Sequence, residues 1–125
     1  MPKALFAVLS AALMLLPAGA LAQSYELIMV EERGCPWCAR WNKEIGPIYS
    51  KTAEAATAPL RRIELHAPRP DDLTFERPIS FTPTFVLVGD GRELGRIEGY
   101  PGEDFFWMLL NKLLKQHTDF KGETP

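Results

Sequence analysis

A chain of 125 residues with 14 Lys and Arg against 16 Asp and Glu has a formal net charge of −2, spread without a long run of either sign. That balance excludes the basic footprint of a nucleic-acid binder or of a protein drawn to an anionic membrane. The length suits one domain with its own core and leaves no room for a second, and no internal repeat or low-complexity stretch stands out.

Residues 1–22 read as a secretory signal peptide. Lys3 is the one basic residue, an apolar run covers residues 4–16, Pro17 and Gly19 break it, and Ala20-Leu21-Ala22 offers a small-residue cleavage site before Gln23. An uncleaved anchor is the competing reading, but the apolar run is shorter than the ~20 residues that cross a bilayer. No cysteine follows the cleavage site, which excludes a lipoprotein anchor. Once Lys3 is removed with the signal, residues 23–125 form a mildly acidic domain, expected in the periplasm with no stable membrane insertion.

Residues 25–32 form the first expected strand, with an apolar centre suited to burial on both faces. It runs straight into Gly34-Cys35-Pro36-Trp37-Cys38, which holds both cysteines of the chain. A strand feeding a C-x-x-C that opens a helix reads as a thiol–disulfide site. The first helical turn has backbone N–H groups without partners and a partial positive charge, so a sulfur there is stabilised as thiolate, which makes Cys35 the nucleophile. Pro36 fits the first helical position, where a missing N–H costs nothing. Cys38, one turn further in, is placed to attack a mixed disulfide on Cys35, so the pair can cycle between dithiol and disulfide. A purely structural bridge is the plainer reading for an exported protein, but closing so short a loop restricts the unfolded chain little.

The helix is expected to run from Pro36 into the 51–56 region, with Trp41, Ile45, Ile48, Tyr49, Thr52 and Ala56 packed on the sheet and Gly46-Pro47 bending or interrupting it. Residues 60–66 have too few large apolar side chains to declare a central strand by periodicity. Residues 67–80, with Pro68, Pro70 and Pro78, are expected to be irregular, with at most one helical turn near residues 71–75. Asp90-Gly91 joins strands over residues 84–89 and 92–98 into a hairpin, because Asp-Gly supplies the positive φ angles of a two-residue turn. A last helix begins at Glu103 and Asp104 and ends near Lys112 and Lys115, matching the helix dipole at both ends. Phe105, Phe106, Leu109, Leu110, Leu113 and Leu114 form its expected buried face, and residues 118–125 a frayed tail.

Over residues 24–116 the chain resembles the thioredoxin superfamily: the C-x-x-C is joined by Thr82-Pro83-Thr84 and the apolar run after it, which look like the cis-proline segment that faces the cysteines in that fold. The signal, the Cys-Pro-Trp-Cys lettering and residues 44–49 look most like the small periplasmic thioredoxin-like proteins of bacterial sulfur-oxidation systems, the regulatory SoxS type. The resemblance implies an α/β thioredoxin-like fold: a four-stranded mixed sheet with flanking helices, residues 60–66 as a strand, and the second helix of full thioredoxin reduced or absent. It also implies a thiol–disulfide oxidoreductase with no cofactor beyond the Cys35–Cys38 pair. Thr82 and Pro83 would bind protein disulfide substrates, and an inner-membrane electron donor would support a reductase; a dithiol oxidase or isomerase is the alternative. Thioredoxin carries a buried acid where this chain has Met29, so the proton route at Cys38 must differ, with Glu31, Glu32 and water as candidates.

Other residues keep two readings. Trp37 is either an exposed contact for partner proteins or a cover over Cys38, and the family favours exposure. Arg33 and Arg40 could favour thiolate, opposed by Glu31 and Glu32. Phe81, Tyr100 and Pro101 either border the groove beside Cys35 or close the core. A metal-binding chaperone could use Cys35, Cys38 and His66, but the chain has no second C-x-x-C or histidine cluster, and the proline beside Cys35 suits a redox motif better, so no metal is expected.

Overall fold

The computed structural model describes residues 22–122; the signal-peptide reading, apart from Ala22, lies outside them. The element order is β1 (Tyr25–Glu31), α1 (Pro36–Glu44), α2 (Gly46–Tyr49), α3 (Ala53–Thr57), β2 (Leu60–Glu64), β3 (Thr84–Gly89), β4 (Arg92–Glu98) and α4 (Glu103–His117). The strands form one sheet ordered β2-β1-β3-β4. β1 pairs with β2 in parallel, while the β1–β3 and β3–β4 pairs are antiparallel.

Side-chain alternation sorts the two central strands between two cores. Leu27, Met29, Phe85 and Leu87 face a core shared with Trp41, Ile45, Tyr49, Phe106, Leu110 and Leu114 from the helices. Trp41 sits at its centre, its ring 5.3 Å from that of Phe85 and 5.8 Å from that of Phe106. Ile28, Val30, Val86 and Val88 face the opposite way. No helix lies between β2 and β3 among the described residues. The second face is covered instead by Leu65, just past β2, and by Leu73, Phe75 and Ile79 of the proline-rich stretch, which holds one turn closed by the Leu73 N–H on the Pro70 carbonyl.

Three expectations change. The first helix is interrupted at Gly46-Pro47, as expected, but it breaks a second time: α3 is a separate piece capped by Thr52, whose Oγ1 accepts from the Ala55 N–H at 3.2 Å. Restarting the helix at Thr52 resets its phase, so Ala55 is buried while Ala56 faces solvent, and Ile48 on the short α2 is exposed as well. On α4, Phe105 is exposed, because Phe106, Leu110 and Leu114 at four-residue spacing already fill the stripe toward the sheet. Of the expected tail over residues 118–125, residues 118–120 are anchored rather than frayed, since the Thr118 hydroxyl donates to the Leu114 carbonyl at 2.6 Å and Phe120 closes the core; residues 123–125 lie outside the described ones.

The hairpin turn has φ of 49° at Asp90 and 79° at Gly91. A Cβ on Gly91 would overlap the Asp72 carbonyl oxygen, and the Gly91 carbonyl accepts from the Thr74 N–H at 2.8 Å, so the tip grips the proline-rich stretch. A second grip comes from β4. Arg96 forms a two-pronged pair with Glu93, at 2.6 and 2.8 Å, and both side chains are almost wholly excluded from solvent. Arg96 also donates to the carbonyls of Arg77 and Pro78, while Glu93 accepts from the Glu76 N–H. Burial opposes ionisation of Glu93, but these donors outweigh it and hold its carboxyl below the usual range. Arg96→Ala would leave a buried carboxylate without its cation. Its expected cost is on the order of 3 kcal/mol in urea unfolding, with limited proteolysis shifting to residues 67–80. Wild-type stability in this variant would refute the grip.

Candidate functional site

The β1–β3 register pairs Val30 with Thr84, so the loops that leave these strands start side by side at one end of the sheet. One loop rises from β1 through Glu32, Arg33 and Gly34 to Cys35. The other descends through Phe81, Thr82 and Pro83 into β3, and its Thr82–Pro83 peptide bond is cis. Gly34 adopts φ of 77°, which turns the chain from strand to helix and would strain any other residue.

Cys35 is the N-cap of α1, with Pro36 in the first turn, and its Sγ accepts from the Cys38 N–H at 3.1 Å. Cys35 and Cys38 are joined in a disulfide, with Cα atoms 5.3 Å apart. The two sulfurs are not equivalent: Cys38 is 4% exposed and belongs to the helix-side core, whereas Cys35 is half-buried at the surface. Only the outer sulfur is placed to meet another protein.

Trp37 is 53% exposed. With Phe81, Thr82, Glu98, Gly99 and Tyr100 it lines a groove of about 400 Å³. Phe81 is exposed, Tyr100 forms the buried floor, and Pro101 is exposed outside the lining. Arg40 spends its charge locally, pairing with Glu44 at 2.7 Å and lying 5.8 Å from the centres of both the Trp37 and Tyr100 rings. Tyr100 donates to the other Glu44 oxygen at 2.5 Å, and burial together with this bond pushes its phenol up, so it remains protonated. Arg33 is exposed.

On the other side of the disulfide, Glu31, Glu32, Cys35, Cys38 and Asn42 line a second cavity of about 360 Å³. Glu31 pairs with Arg62 at 2.6 Å. Glu32 accepts from the Thr82 hydroxyl at 2.6 Å and meets His66 Nε2 at 2.9 Å. His66 is thus engaged with Glu32 and not grouped with the cysteines, and among the described residues no set of three His, Cys, Asp or Glu side chains is arranged to hold a metal ion. Met29 is fully buried in the helix-side core.

Sequence reasoning did not find the Glu32–Thr82 or Glu44–Tyr100 contacts. Both join residues remote in sequence, and only the Arg40–Glu44 pair, four residues apart on a helix, had a local signal. Glu32 is held below the ordinary carboxylate value of 4.5, first by the Thr82 hydroxyl and then by His66, and Glu44 likewise by Tyr100 and Arg40. A lowered folded-state pKa contributes stability that is complete above the unfolded value and is lost as pH falls through the folded one. Denaturant midpoints are therefore expected to hold between about pH 5 and 7 and to fall below pH 4.5, with a smaller fall in a Glu32→Gln/Glu44→Gln variant. An unchanged acid slope in that variant would contradict these assignments.

The thioredoxin-like domain family model matches residues 20–114. No curated protein matches the chain. The crystal structure of the periplasmic thioredoxin SoxS from Paracoccus pantotrophus, in its reduced form, is 50% identical, with a TM-score of 0.72 over 74% of this chain and 97% of that one. A thioredoxin from Malassezia sympodialis is 16% identical, with a TM-score of 0.48 over 71% of this chain and 74% of that one. With a C-x-x-C disulfide at the helix start, a thioredoxin-like family model over most of its length and 50% identity to a periplasmic thioredoxin across the aligned 74% of the chain, the chain belongs to the thioredoxin superfamily, in its SoxS type, and is a thiol–disulfide oxidoreductase.

Proposed function

We propose that this protein is a periplasmic reductase of protein disulfides, with Cys35 as the attacking sulfur and Cys38 as the resolving one. The observation that carries the division of roles is the asymmetry of the pair: Cys35 Sγ lies at a helix N-terminus accepting the Cys38 N–H, while Cys38 is buried against the core; the likeness to a periplasmic thioredoxin supports the reductase direction. A thiolate at Cys35 is favoured by that N–H and by the helix dipole. It attacks one sulfur of a substrate disulfide, forming a mixed disulfide and releasing the other sulfur as thiolate. Cys38 then loses its proton to water and attacks Cys35 Sγ, releasing the second substrate sulfur. Two electrons pass to the substrate, and the Cys35–Cys38 disulfide remains.

The substrate chain lies along Thr82 and Pro83, with Trp37 beside it. In support, the Thr82 N–H and carbonyl have no backbone partner among the described residues, while the neighbouring Pro83 carbonyl is taken by the Gly99 N–H at 2.7 Å. Gly34 and Pro36 shape the entry to the helix. The cysteine pair carries the electrons itself, and a dithiol donor at the inner membrane returns it to the reduced state. The likeness to a periplasmic SoxS supports the compartment and a partner within a sulfur-oxidation system.

Cys38→Ser is expected to accumulate mixed disulfides on non-reducing gels and Cys35→Ser none; equal trapping by both would refute the division of roles. For a reductase, the potential of the pair is expected near about −270 mV, whereas a value near about −120 mV would make the protein an oxidase. The roughly 150 mV between them corresponds to about 7 kcal/mol for a two-electron couple.

A further inference from the structure

Three hydrogen bonds hold the segment that carries Pro83. The Thr84 hydroxyl donates to the Phe81 carbonyl at 2.6 Å and the Gly99 N–H to the Pro83 carbonyl at 2.7 Å. Both act within the β3–β4 side of the molecule. The third, from the Thr82 hydroxyl to Glu32 Oε1 at 2.6 Å, crosses to the loop that bears Cys35. Glu32 is itself held from a third direction, because His66, just past the end of β2, contacts its other oxygen at 2.9 Å. The side chain is therefore fixed at both oxygens, and a hydroxyl-to-carboxylate bond of this length belongs to the strong, charge-assisted kind.

We propose that Glu32 is a positioning residue for substrate: its carboxylate sets the Thr82 backbone edge at a fixed distance from Cys35 Sγ. This deepens the reading that a substrate chain lies along Thr82. Thr82 also lines the Trp37 groove, so its hydroxyl faces Glu32 while the rest of the residue borders the substrate side. Without the bond, the Thr82 edge is no longer pre-set, and an extended protein substrate must order it on docking. That cost weakens binding of extended substrates more than the sulfur exchange itself.

The test uses the mature protein with insulin as the disulfide substrate and dithiothreitol as the source of electrons. Glu32→Ala and Thr82→Val, the latter close to isosteric, are each expected to lower kcat/KM about tenfold, mainly through KM. Thr82→Ser, which keeps the hydroxyl, is expected to restore the wild-type value to within about twofold, and the Glu32→Ala/Thr82→Val double variant to be no worse than either single one. Losses that fall on kcat alone, losses that add in the double variant, or a Thr82→Ser as poor as Thr82→Val would overturn the proposal. Wild-type protein that fails to reduce insulin at all would instead remove the reductase reading, and this inference with it.

Discussion

The antiparallel ladder between β1 and β3 is the constraint on which the site depends. Both strands are buried on both faces, so a slip of one residue would turn Leu27 and Met29 away from Trp41 and exchange the contents of the two cores. The packing that forbids the slip also fixes Val30 against Thr84. Two loops that are remote in sequence therefore emerge together, and a catalytic helix start meets a proline turn without either loop having to specify the meeting itself.

What could be read in the sequence follows the range of the interactions. The Cys35–Cys38 spacing, Pro36 at the helix start, the Asp90-Gly91 turn and the acidic start of α4 depend on neighbours a few residues away, and their consequences were legible. Residues 60–66 were not legible as a strand from periodicity, because β2 is an edge whose Leu60 and Ile63 are only half-buried. The family resemblance supplied that element. The proline at position 47 announced a break, but not the change of phase after it, which depends on where Thr52 restarts the helix. The contacts of Glu32 with His66 and Thr82 span 34 and 50 residues, and nothing local distinguishes this acid from Glu31.

The second face of the sheet shows how a reduced member of the superfamily keeps its core closed. The proline-rich stretch brings only Leu73, Phe75 and Ile79 to that face, and irregular backbone cannot satisfy its own polar groups as a helix does. The missing bonds are made by other elements: the hairpin tip takes Thr74, and the Glu93–Arg96 pair takes Glu76, Arg77 and Pro78. A buried ion pair is costly to desolvate, and here the same two side chains act as a peg for backbone groups that lead directly to Phe81 and Thr82.

The hairpin tip has a geometric consequence as well. Ser24 exchanges two hydrogen bonds with Asp90, one through each residue's N–H, so β1 begins at the pole of the sheet that holds the turn. The strand then runs seven residues toward the cysteines, about 20 Å of extended chain. Anything joined ahead of Ser24, whether an affinity tag, a fusion partner or a tether to a surface, departs from the far pole. A molecule immobilised by that end presents its disulfide outward to whatever diffuses past.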